Sequence, residues 1–189
     1  MNSTQQKALK QLFTVGKRQF SLYSYSDKTN PRVFLTLSKN GQPLGDLVFE
    51  LYKSQAPANV DNFVSFATGN NQWNGSYKGK TLSTGLPGSV IGTEHVWPCQ
   101  SSSNGSRLFD EDLSLRHYKR GQLTLRNSGD SSNGSAFYIT LDKADYLDGY
   151  NQLIGELVEG DDVLRQAEET LDRHGSTTAE IKIENSGTR

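Results

Sequence analysis

Residue types able to do chemistry are few in this chain, and they stand apart. The histidines are His95, His117 and His174, the single cysteine is Cys99, and none has the close spacing by which imidazole and thiolate hold a metal. Asp110-Glu111-Asp112 carries the charge for a cation, yet so short an acidic run has the composition of a solvated turn. Gly75-Ser76-Tyr77-Lys78-Gly79-Lys80-Thr81 is one residue short of the phosphate-cradling GxxxxGK[ST] loop, and no strand-to-helix context surrounds it. Asn133-Gly134-Ser135 is one of four Asn-x-Ser/Thr sites, which accept glycan only in a secretory compartment. No Ser–His–Asp or Cys–His set can be assigned from spacing. Neither a metal nor a cofactor is expected.

The elements that would position such residues come from composition and periodicity. The chain has 189 residues, 20 Lys+Arg against 21 Asp+Glu and a formal net charge of −1, which argues against a dedicated nucleic-acid binder. A mean hydropathy of −0.65 and the lack of an 18-residue apolar run predict no membrane-spanning segment. A lone Cys99 cannot form an internal disulfide. Eighteen glycines and 10% aromatic residues suit a turn-rich β fold.

Val33, Leu35 and Leu37, then Asn40-Gly41, then Leu47, Phe49 and Leu51 read as a hairpin in period two, with a loop longer than the minimum. Residues 56–67 read as a helix stopped by Gly69, with Val60, Phe63, Val64 and Ala67 on its buried face. Further strands are predicted at 80–83, 89–96, 122–126, 136–140, 153–158 and 179–185, and a second helix at 161–170. The sum is a mainly β protein: a closed eight-stranded antiparallel barrel with two capping helices, one domain over residues 31–189.

Residues 1–30 read as a basic N-terminal extension. Lys7, Lys10, Lys17 and Arg18 precede the first acidic residue, Asp27, and Leu9, Leu12, Phe13 and Phe20 fall on one helical face. That composition is transit-peptide-like, and Arg18-Gln19-Phe20-Ser21 is similar to a matrix-protease cleavage site. The expected location is therefore mitochondrial, with the cytoplasm as the alternative.

Strung together, several segments point to one family. They include Leu44-Gly45-Asp46-Leu47-Val48-Phe49-Glu50-Leu51-Tyr52, Phe109-Asp110-Glu111-Asp112 with Arg116-His117, and Gly121-Gln122-Leu123-Thr124-Leu125-Arg126-Asn127. Asn133-Gly134-Ser135-Ala136-Phe137-Tyr138-Ile139 and Tyr146-Leu147-Asp148-Gly149 follow in the same order. The chain resembles a cyclophilin, a peptidyl-prolyl cis/trans isomerase, over residues 31–188. The resemblance implies a barrel closed by two helices. It also implies a groove in which an Arg donates toward the prolyl amide, a Phe-Met-Phe-Leu pocket holds the ring, and Gln, Asn, Trp and His position the peptide.

Carried over from Pro87-Gly88, the catalytic Arg position holds Thr84, a short neutral donor in place of a five-donor cation. Leu82-Ser83 replaces the Phe-His pair before it. Ser89, Val90 and Gly92 stand for Phe, Met and Gln; Arg126, Tyr138, Tyr146 and Asn151 stand for Ala, Phe, Trp and His. Asn127 and Leu147 are retained. The fold-building residues are kept and the groove residues replaced, so no catalytic residue is assigned and the protein is expected to be an impaired, degenerate cyclophilin. The expected role is a structural or accessory subunit, or a binding module, of a mitochondrial multiprotein complex such as a respiratory-chain complex. Its partners would be other protein subunits, met through segment 1–30 and the barrel surface. The alternative is a weak or substrate-restricted prolyl isomerase assisting folding, with Arg126 as a substitute donor in one version.

Overall fold

The computed structural model describes residues 25–94, 96, 108–127 and 132–189; the expectations placed on residues 1–24, His95 and Cys99 lie outside these. Strand β1 is Arg32–Lys39, β2 Gln42–Leu51, β3 Thr84–Leu86, β4 Val90–Thr93, β5 Gln122–Asn127, β6 Asn133–Thr140, β7 Leu153–Glu159 and β8 Ile181–Thr188. Helix α1 is Pro57–Thr68 and α2 is Asp161–Glu168, with a 3₁₀ turn at Asp145–Leu147. All pairings are antiparallel, in the order β3-β4-β6-β5-β7-β2-β1-β8.

The sheet curls until its ends meet. Just before β3 the chain bonds to β8: Gly79 N donates to Ile183 O at 2.7 Å, Ile183 N to Lys80 O at 2.7 Å and Leu82 N to Ile181 O at 2.8 Å. The strand expected at 80–83 is thus a closure segment with a single bridge, Thr81 to Lys182, and the true strand follows at Thr84–Leu86. Thr84-Gly85-Leu86 lacks period-two patterning because only its backbone is needed, paired with Val90–Gly92 around a turn at Gly88 (φ 69°). The expected long hairpin loop is a two-residue turn, Asn40 (φ 51°) and Gly41 (φ 78°). Both residues take the positive φ that matches strand twist, so polar Gln42 joins the ladder directly.

Leu35, Leu37, Leu47, Phe49, Ile91, Leu123 and Ile139 belong to one buried core. Helix α1 packs its Val60, Phe63, Phe66 and Ala67 face against β8, β6 and β1. Between helix and sheet, Phe63, Tyr77 and Phe137 pack edge to face or tilted, with centroids 4.9–5.5 Å apart. Tyr77 Oη, fully buried, donates to Ser135 O at 2.9 Å. Helix α2, two residues shorter than the expected 161–170, packs Val163 and Leu164 toward β2.

Strict alternation along β2 would turn Glu50 outward, yet it is buried. Residues 25–31 cover it: Ser26 Oγ, Asp27 N and Asn30 Nδ2 donate to its carboxylate at 3.1, 2.8 and 2.9 Å, and Tyr25 packs on Tyr52 at 5.2 Å. Burial works against the charge, but these donors outweigh it and hold the Glu50 carboxyl below its ordinary value.

Candidate functional site: the face of β3, β4, β6 and β5

A row of residues crosses the sheet in register: Thr84 on β3 faces Gly92 on β4, Gly92 faces Tyr138 on β6, and Tyr138 faces Thr124 on β5. Thr84 Oγ1 is buried without a hydrogen-bond partner among the described residues. A side chain at Gly92 has no room, since its Cβ would lie 2.1 Å from Phe137 O and 2.7 Å from Tyr138 Cδ1. The β6 backbone at Phe137 excludes a side chain at position 92 first, and the Tyr138 ring second.

Val90, Ala144 and Leu147 form a small buried cluster, with Tyr138 packed against it. Across its mouth Ser89 Oγ and Tyr146 Oη share a 2.7 Å hydrogen bond. The rim continues through Asn127, whose Nδ2 donates to Tyr150 O at 2.5 Å, and Asn151, whose Nδ2 donates to Leu125 O at 2.9 Å. Arg126 lies where the β5–β6 register breaks, between Leu125 and Asn127. Its Nη1 donates to Glu94 Oε1 at 2.6 Å, and its Cζ sits 5.6 Å from the Tyr138 ring centre. The bond to Glu94 holds the guanidinium pKa above its ordinary value. Burial raises the Tyr138 phenol, against the neighbouring Arg126 charge.

The structure thus gathers Ser89, Val90, Gly92, Arg126, Tyr138, Tyr146 and Leu147 on one face, with Asn127 and Asn151 at its rim and Thr84 in line with Gly92. Glu94 and Ala144 are additions that sequence reasoning missed. Glu94 is 32 residues from Arg126, and only the strand order β4-β6-β5 brings the two charges across Tyr138. The signal available was a carboxylate two residues beyond Gly92.

Beneath this face, Asp148 Oδ1 meets His117 Nδ1 at 2.9 Å, and His117 Nε2 meets Thr124 Oγ1 at 3.0 Å. The order of groups is that of a nucleophilic triad, but His117 and Thr124 are fully buried and Thr124 Oγ1 also donates to Gln152 O at 3.1 Å. With no route to a substrate, the trio pins the loop after the 3₁₀ turn to β5. Burial depresses the His117 imidazole below its ordinary value despite Asp148. For Asp148 burial opposes ionisation, yet His117 and Arg116 outweigh it and keep the carboxyl low.

The acidic run is not a solvated turn. Glu111 accepts Ala58 N at 3.1 Å and Asn59 N at 2.8 Å, and so caps α1 from a distance. Asp110 accepts Asn133 Nδ2 at 2.8 Å, and Asp112 accepts Ser114 N at 2.9 Å. Asn133 is fully buried, which removes that glycan sequon from the surface. In the glycine-lysine stretch, Gly75 N donates to Asn71 Oδ1 and Gly79 N to Ile183 O, so these amides cradle no phosphate.

A curled eight-stranded antiparallel sheet with two helices, carrying its groove on the β3-β4-β6-β5 face, defines a cyclophilin-type domain. The family model described as "Cyclophilin type peptidyl-prolyl cis-trans isomerase/CLD" matches residues 34–188, and the chain belongs to that family. No helix among the described residues is long and apolar enough to cross a membrane.

Proposed function

We propose that this chain is a cyclophilin-fold binding module whose groove no longer turns over prolyl bonds. The observation that carries the reading is that the groove face is spanned by the chain's own side-chain pairs, Ser89–Tyr146 over Val90 and Leu147, and Arg126–Glu94 over Tyr138. Rotation of an X–Pro bond must overcome a barrier of about 18–20 kcal/mol set by amide resonance. A charged donor aimed at the prolyl amide lowers it, and in this chain the family's Arg position holds a buried, uncharged threonine hydroxyl at Thr84. Arg126 lies on β5, three strands along the sheet from Thr84 on β3, which argues against its serving as a substitute donor.

The proposed setting is an accessory subunit of a mitochondrial multiprotein complex. Its support is the basic, acid-free composition of residues 1–26. Purification of the tagged full chain from its own cells in mild detergent, with sizing and identification of co-migrating proteins, tests this. A stoichiometric assembly in the mitochondrial fraction is expected. A free species of 20.9 kDa would overturn the subunit role.

A further inference from the structure

We propose that Arg126 is a receptor for a carboxylate side chain presented by an acidic protein segment, with Glu94 occupying that receptor in the unbound chain. The inference rests on the binding-module reading and names the chemistry that such a groove would select. A guanidinium has five N–H donors in a planar fork suited to bidentate carboxylates, and Arg126 uses only Nη1, end-on to one oxygen of Glu94, among the described residues. Its Cζ lies 5.6 Å from the Tyr138 ring centre, a cation–π contact that favours keeping the cation on this face.

The internal pair is built to be displaced. The Arg126 side chain is 34% exposed and that of Glu94 55%, and exposed pairs of this kind contribute little to stability. Glu94 lies just beyond the last residue of β4, outside the strand ladder. Exposed apolar side chains occur on the elements of this face: Tyr146 is 51% exposed, Tyr150 is 72% exposed, and Leu86 on the β3–β4 hairpin is 55% exposed. Tyr146 bonds Ser89, and the Tyr150 carbonyl accepts from Asn127, the residue after Arg126. The class of partner is a segment carrying Glu or Asp beside apolar residues, its carboxylate forked by Arg126 and its apolar atoms laid on the tyrosines.

The test uses the full-length ¹⁵N-labelled protein and two end-blocked peptides, acetyl-Ala-Glu-Glu-Ala-amide and its Gln-for-Glu counterpart, with the backbone amide resonances of residue 126 and Tyr138 as readout, joined by the Arg126 Nε–H wherever the arginine is present. The Glu peptide is expected to shift those resonances and the Gln peptide to leave them in place. Glu94→Gln, an exposed change, is expected to tighten Glu-peptide binding about three- to fivefold by removing the competitor. Arg126→Gln is expected to abolish the preference for Glu over Gln, and it serves as the independent check if Glu94→Gln perturbs folding. Equal binding of both peptides, or an unchanged affinity in Glu94→Gln, would overturn the carboxylate receptor. Isomerase turnover measured on the same sample separates the two ideas. Turnover with Glu-selective binding refutes the idle groove and keeps the receptor; no turnover and no selectivity refutes the receptor alone.

Discussion

His117 shows what one buried ring does in this fold. It is fully buried, bonded to Asp148 on one side and Thr124 on the other, with Arg116 Nη1 3.4 Å from the far oxygen of Asp148. In the unfolded chain the imidazole titrates near 6.5, while in the folded chain burial keeps it neutral to lower pH. Below that value the unfolded chain binds the extra proton, so stability is complete above pH 6.5 and declines as the pH falls through it. Asp148 adds its own loss only at lower pH, since its folded value lies below the ordinary 3.8. Urea midpoints at about pH 8 and about pH 5 are expected to show this decline in the wild type and a flatter response in His117→Gln. An equally steep decline in the variant would assign the titration elsewhere. At this scale the sequence was only partly legible. It marked Thr84, Gly92 and Tyr138 as departures from a pattern, whereas the lack of room for a Cβ at Gly92, against Phe137 O and Tyr138 Cδ1, is created only by folding. The Asp148–His117–Thr124 trio stayed invisible for the same cause, being assembled from two loops and a strand.

Elements were easier to read when their side chains carry the period. Helix α1 was visible because Val60, Phe63 and Ala67 recur on one face and Gly69 takes a left-handed φ of 73° at its end. Its start was legible to within one residue, but its cap was not, because Ala56 offers no side-chain cap and Glu111, 53 residues after Ala58, supplies one. A carboxylate there satisfies two orphan N–H groups and faces the positive end of the helix. Glu111→Ala is expected to cost about 1–2 kcal/mol in chemical denaturation. A loss under about 0.5 kcal/mol would show water replacing the cap without penalty. Strand β3 eluded pattern reading altogether, since three residues around a glycine hold their place by backbone pairing alone.

For the molecule as a whole, alternating strands and turn glycines fix a β architecture. What composition cannot display is the closure, made by backbone bonds of residues 79–82 to β8, or the burial of Glu50 under residues 25–31. The chain belongs to an isomerase family, and its groove face is spanned by its own side chains. The most direct measurement is the exchange rate of cis and trans Ala-Pro in a short peptide, followed by NMR as the full-length protein is added. The rate is expected to stay at its uncatalysed value at every protein concentration. Acceleration in proportion to added protein would contradict an idle groove and make this chain a working prolyl isomerase.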